Sequence, residues 1–340
     1  MTPILQPQRN STLQISRLAC LALVLSLSGP LCFSVSAQED APRVHAPAHA
    51  EPWTKIPIPP LHAFKPQEPR RIELANGMVI FLQEDHELPF INGFIVIRGG
   101  SRDEPAQKIG LVSLYGQSWR TSGNSKTSGD VLDTQLAAKA ARIETGGGQA
   151  WTSLHWSSLK GDFDPVFASA VDLLLHPAFN EAKLQLAKRQ AAARISRRND
   201  EAPSIASREA VKLVYGADSP YGRIPQYATI AAVKLDDLRA WHDRTVVPNN
   251  MMIAVSGDFD SAAMEAKLRA VFEPLPRGTQ VEAPKLDFPG PKPGVYFVDK
   301  PDVNQSTVFT VGLGTRQDNP DYYALSVMND IFSGGFGSRV

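Results

Sequence analysis

The chain resembles itself. An offset of about 215 residues brings two strand–strand–turn–helix patterns into register, which points to tandem copies of one homologous unit. In the first copy Val79-Ile80-Phe81-Leu82 reads as a buried strand and Gly93-Phe94-Ile95-Val96-Ile97 as another. A polar turn over 101–107 leads into a helix holding Leu111 and Leu114. In the second, Val295-Tyr296-Phe297-Val298 and Thr307-Val308-Phe309-Thr310-Val311 repeat the strands, and a helix with Ala324, Leu325 and Met328 completes the echo. The match lies in hydrophobic pattern and turn placement more than in identity. At Val340 the second copy has reached only its first helix, and a full copy needs on the order of 150 more residues. The sequence is therefore expected to be a fragment or a truncated product.

Between the copies, helices are expected over 130–142, 163–175, 180–198, 235–244 and 262–272. His176-Pro177 separates the second from the third. Residues 143–159 are rich in β-formers around Gly146-Gly147-Gly148, and 250–257 (NMMIAVSG) reads as a buried strand. Strand pairs interleaved with helix pairs predict an α+β fold: an antiparallel-leaning sheet covered by helices on one face.

The N-terminus carries an export signature. Arg9 and Arg17 precede an apolar run beginning at Leu18, and Val35-Ser36-Ala37 offers a small-residue cleavage site. Gly29-Pro30 interrupts a run already short for a bilayer span, which argues against an uncleaved anchor. Both cysteines, Cys20 and Cys32, fall inside that signal, so the mature chain has no thiol for a disulfide or a metal. Residues 38–67 are proline-rich, as in an extended linker. The 35 Lys and Arg balance 35 Asp and Glu, which removes any general electrostatic case for nucleic acid.

The stretch 98–123 resembles the N-terminal signature of the pitrilysin/insulinase family of zinc metallopeptidases. That helix carries H-x-x-E-H in the family: two histidines one turn apart hold zinc and the glutamate activates its water. Further pieces agree in order and spacing. Ser219-Pro220-Tyr221-Gly222-Arg223 is similar to the family's H-P-Y-G-R turn, and Pro248-Asn249-Asn250 with Gly257-Asp258 to its P-N-N and G-D segment. Val298-Asp299-Lys300-Pro301, Asn304-Gln305-Ser306 and the Gly334-Gly335-Phe336-Gly337-Ser338-Arg339 run resemble the opening of a second domain. The likeness implies a secretion signal over 1–37, a linker over 38–67, a first processing-peptidase-like domain over 68–277, a connector over 278–293 and the start of a second over 294–340.

It also implies a site that has lost its chemistry. Ser113 and Gln117 fall on the two histidine positions, Gly116 on the glutamate, and Arg194 on the third zinc ligand, a glutamate of a later helix. A guanidinium about 4 Å from a dication would repel it by roughly 8 kcal/mol at an effective dielectric near 20. No zinc or other cofactor is expected.

Rival chemistries are weaker. His45 and His49 sit four apart in the proline- and alanine-rich linker, where no helix is expected, and His86, His155, His176 and His242 have no second ligand at metal spacing. The Gly146–148 triplet has no lysine after it and no phosphate-loop context. Ser113 lacks a histidine partner in sequence reach. Asp162 and Asp164 suit a helix cap, and Arg194, Arg197 and Arg198 suit a helix C-terminus, or else a peptide carboxylate.

What remains is peptide capture. Family enzymes are clam-like chambers that add an extended peptide to a sheet edge, and the resemblance places that edge at Gly148, Gln149, Ala150, Trp151 and Thr152. The expectation is a non-catalytic exported subunit, periplasmic or extracellular, that pairs with a zinc-bearing homologue and helps it enclose peptides. It would touch no nucleic acid and keep no membrane span after signal cleavage. The alternatives are an active metalloendopeptidase with an unrecognised metal site, and a stand-alone envelope protein that binds peptides or assembles partners.

Overall fold

A computed structural model describes residues 56–57, 65–286, 288 and 290–335. The signal reading, His45, His49 and the last residues of the glycine-rich run lie outside them. The chain divides into two units. One is Gln8–Gln67, of which little is described; the other runs from Glu68 onward and carries the elements below.

Six strands form one mixed sheet: β1 (Arg70–Glu73), β2 (Val79–Glu84), β3 (Phe90–Arg98), β4 (Arg142–Gly147), β5 (Trp151–Leu159) and β6 (Met251–Gly257), in the order β1-β2-β6-β3-β5-β4. All neighbours are antiparallel except β2 and β6, where Ile80 lies opposite Ile253. Alternation decides which face is buried. Ile91, Ile95 and Ile97 of β3, Leu154 and Trp156 of β5, and Met251, Ile253 and Val255 of β6 all point into the core.

The helices are α1 (Leu111–Ser122), α2 (Gly129–Ala137), α3 (Phe163–Leu175), α4 (Glu181–Arg197), α5 (Ala202–Tyr215), α6 (Tyr227–Ala232), α7 (Leu235–Thr245), α8 (Ser261–Phe272) and α9 (Tyr322–Ser333). α1 is buried almost all round because it lies between β4 and α4. α4 begins where Asn180 Oδ1 accepts the Ala182 amide at 2.8 Å, and it buries the stripe Leu184, Ala187, Ala191 and Ile195. Asp260 caps α8 in the same way through Ala263, at 2.8 Å.

The α+β expectation holds, with three local corrections. The helix expected over 130–142 stops at Ala137; Ala140 takes a left-handed φ of 49° and Arg142 already belongs to β4. β1, α5 and α6 had no clear periodic signal. The strands expected at 295–298 and 307–311 are not formed, and Val295, Phe297 and Val308 are well exposed. A strand is stable only within a ladder. In the first copy β2 and β3 both pair with β6, which follows them by a whole set of helices, and no counterpart of β6 occurs in 294–335.

Candidate functional site

The entry to α1 is fixed by a buried carboxylate. Glu104 is only 4% exposed and accepts the Gly110 and Val112 amides at 2.8 and 2.6 Å, satisfying donors that the first helical turn leaves free. Burial pushes its carboxyl up to about 6, against the opposing pull of those amides and of Arg223. The Ser219-Pro220-Tyr221-Gly222-Arg223 turn clamps the same segment. Arg223 donates to the Glu104 carbonyl, and Arg102 donates to the Tyr221 hydroxyl at 3.3 Å. Ser219 closes the turn by accepting the Gly222 amide at 3.0 Å.

On α1, Ser113 is exposed and Gln117 half-buried one turn later, with its Oε1 buried and without a partner. Gly116 faces the sheet. A Cβ placed there would stand 2.7 Å from the Gly147 nitrogen and 2.9 Å from the Gly146 carbonyl carbon. Thr145 locks the contact by donating its hydroxyl to the Gly116 carbonyl at 2.6 Å. The glycines that resemble a phosphate loop are instead the platform on which the α1 backbone rests. A glutamate at 116 would have to lift the helix off β4.

α4 runs antiparallel to α1. At one end the Asn180 amide donates to Ser122 Oγ at 2.9 Å, and at the other Arg198 donates to the Pro225 carbonyl at 3.1 Å, with Pro225 next to Gly110. Arg194, in the last turn of α4, therefore lies level with the start of α1. It is exposed and has no acidic partner among the described residues. A hydroxyl, an amide and a guanidinium do not make a zinc donor set. Among the described residues no other group of three His, Cys, Asp or Glu side chains is placed to hold a metal.

Gly148, Gln149, Ala150, Trp151 and Thr152, expected at a sheet edge, do not lie on one. These residues form the β4–β5 turn and the start of β5, an interior strand. Trp151 lies opposite Arg98, and Thr152 lies between Ile97 and Gly147. The carbonyls of Gly148, Gln149 and Ala150 already accept the amides of Ser101, Arg102 and Gly99 at 2.9, 3.1 and 3.2 Å. The free edge on this side is β4 itself, Arg142–Gly147.

The remaining histidines have structural settings. His242, 6% exposed among Tyr115, Trp119 and Phe179, bonds the Tyr115 hydroxyl at 2.9 Å. Burial lowers it to about 4. His86 is exposed but bridges Asp258 at 2.5 Å and Glu84 at 2.8 Å, and their hydrogen bonds raise its pKa. Sequence spacing could not pair His86 with Asp258, because four strands and seven helices separate them. His155 is exposed on β5 against Phe94, and His176 follows α3.

Residues 232–340 match a family model described as the Peptidase M16 inactive domain. The "Non-peptidase homolog YmxG" of Helicobacter pylori is 25% identical across 80% of this chain and 62% of its own length. An uncharacterized zinc protease of Mycobacterium leprae is 25% identical across 71% of this chain and 55% of its own. The chain thus spans little more than half the length of these curated relatives. Among solved structures, the M16 inactive domain from Pseudomonas fluorescens shares the fold with a TM-score of 0.66 at 22% identity, over 80% of this chain and 66% of that one. The periplasmic protease PqqL from Escherichia coli aligns with a TM-score of 0.57 at 18% identity, over 67% of this chain and 26% of that one. With the motif order and the sheet topology, these matches show a likeness to the M16, or pitrilysin/insulinase, metallopeptidases, whose inactive-domain model matches residues 232–340.

Proposed function

We propose that the protein is a non-catalytic, exported subunit that helps a zinc-bearing homologue bind and enclose peptides. The observation that carries this reading is the closed space at Gly116. The general-base position is filled by the backbone of β4, so one substitution cannot restore it. Zinc does not fit Ser113, Gln117 and Arg194, whose donors are neutral or cationic.

Peptide capture needs neither group. β4 is the last strand on its side of the sheet, and an extended peptide added there would be held by those main-chain groups not already bonded, the Ile143 carbonyl being taken by Arg120 Nε at 2.5 Å. Export is supported by the Arg9-to-Ala37 pattern and by the likeness to a periplasmic protease. No helix among the described residues is long and apolar enough to cross a membrane. In this reading 68–277 is the first domain and 294–340 opens a second.

The test is co-purification from the cell envelope, followed by peptidase assays of each component alone and mixed. A homologue carrying intact H-x-x-E-H should be recovered, and mixing should raise its activity. Recovery of partners with no such homologue would favour a stand-alone binding protein. Stoichiometric zinc in protein purified without chelator, lost in a Ser113→Ala/Gln117→Ala variant, would overturn the reading.

A further inference from the structure

A cleft of about 470 Å³ lies between α3 and α8. Phe167, Ala168, Val171 and Leu175 of α3 and Val271 of α8 give it apolar walls. Asp172 also lines it and is only 9% exposed. Its Oδ1 accepts Lys126 Nζ at 3.1 Å, while its buried Oδ2 has no hydrogen-bond partner. Buried carboxylate oxygens are rarely left unpaired, and each such exception calls for an explanation.

We propose that this cleft receives the side chain of an arginine or lysine carried by a peptide. A carboxylate oxygen only accepts hydrogen bonds, and a charged donor gives it the strongest one. The apolar walls suit the methylene stem that such a residue carries behind its charged head. Lys126 already displays the chemistry: it reaches in from the turn before α2 with its side chain 77% exposed and occupies half of the carboxylate. Lys267, the other lysine of the rim, is paired with Asp164 and does not compete, and His176 completes the lining. An incoming guanidinium would displace the lightly held Lys126 from Oδ1 and, with the carboxylate turned toward the cleft, bond the shielded Oδ2 as well.

The full chain is titrated with acetyl-Leu-Arg-Leu-amide and with its citrulline counterpart, an uncharged isostere, while the backbone amides are followed by NMR. The arginine peptide should shift the amides of Lys126, Val171 and Val271 and bind at least tenfold tighter than the citrulline peptide. Lys126→Met should tighten arginine binding several-fold by removing the competing ammonium, and Asp172→Asn should weaken it tenfold or more. Equal binding of the two peptides would overturn the proposal. So would a Lys126→Met variant that folds yet binds no tighter, a result that stands even if Asp172→Asn fails to fold.

Discussion

The backbone nitrogen of Gly147 stands 2.7 Å from the point where a side chain on Gly116 would begin. Helix α1 and strand β4 approach so closely because both are reduced to backbone at this crossing, and the Thr145 hydroxyl bonded to the Gly116 carbonyl holds them there.

Gly116→Ala therefore sets helix propensity against packing. In an open helix the change would stabilise by about 1 kcal/mol. Here the added methyl meets backbone that cannot turn aside, and overpacking of this kind costs roughly 1–3 kcal/mol. Urea denaturation should show a net loss of stability, and an unchanged or raised midpoint would contradict the packing at this crossing. Ser113→His, an exposed substitution one turn earlier, should stay within about 0.5 kcal/mol of the parent.

Glu104 links stability to pH. Its folded carboxyl is raised to about 6 from an ordinary 4.5, so its contribution is greatest below 4.5 and is lost as pH rises through 6. The shift corresponds to about 2 kcal/mol. Glu104→Gln keeps a side-chain acceptor and removes the titration. Stability measured between pH 4.5 and 6.5 should then rise more steeply with pH than in the parent.

His242 acts in the opposite sense. Its folded value near 4 lies below the ordinary 6.5, so the stability it contributes is present above 6.5 and is lost as pH falls through 4, an effect of about 3 kcal/mol. Over pH 4.5–6 the two groups work against each other and the parent should change little. His242→Gln removes the second effect and should leave a protein that becomes less stable as pH rises through this range. Chemical denaturation at half-unit pH steps reads both slopes, and a His242→Gln profile parallel to the parent's would refute the assignment.

If β4 receives an extended peptide, main-chain groups carry the affinity. Methylating alternate backbone nitrogens on the pairing side of a bound peptide should weaken binding at least tenfold. Methylating the other side should have little effect. Equal losses from the two sides would argue against strand addition.

Much of the fold was legible in local patterns. The alternation in 90–98, 151–159 and 251–257 and the stripe Leu184, Ala187, Ala191, Ile195 are short-range signals, and each predicts the face that the structure buries. β1 was missed because four residues, one of them buried, carry too little periodicity. The strands expected at 295–298 and 307–311 failed for the converse reason: their pattern is strong, but a ladder needs partners that no local pattern supplies.

The candidate site divides in the same way. The resemblance in sequence placed Ser113, Gly116, Gln117 and Arg194 at the family's zinc positions, and their poverty as a zinc donor set is legible from residue identity, because a metal's requirement for donor atoms is chemical. Only the tertiary structure decided that the space at Gly116 is closed by Gly146 and Gly147. It also decided that 148–152 is the β4–β5 turn and the start of an interior strand while β4 ends the sheet, and that Asp172 meets Lys126 at an apolar cleft. Each of these depends on which backbone lies beside which. Contacts between residues far apart in the chain are set by the packing of the whole sheet and its helices, and no window of sequence contains them.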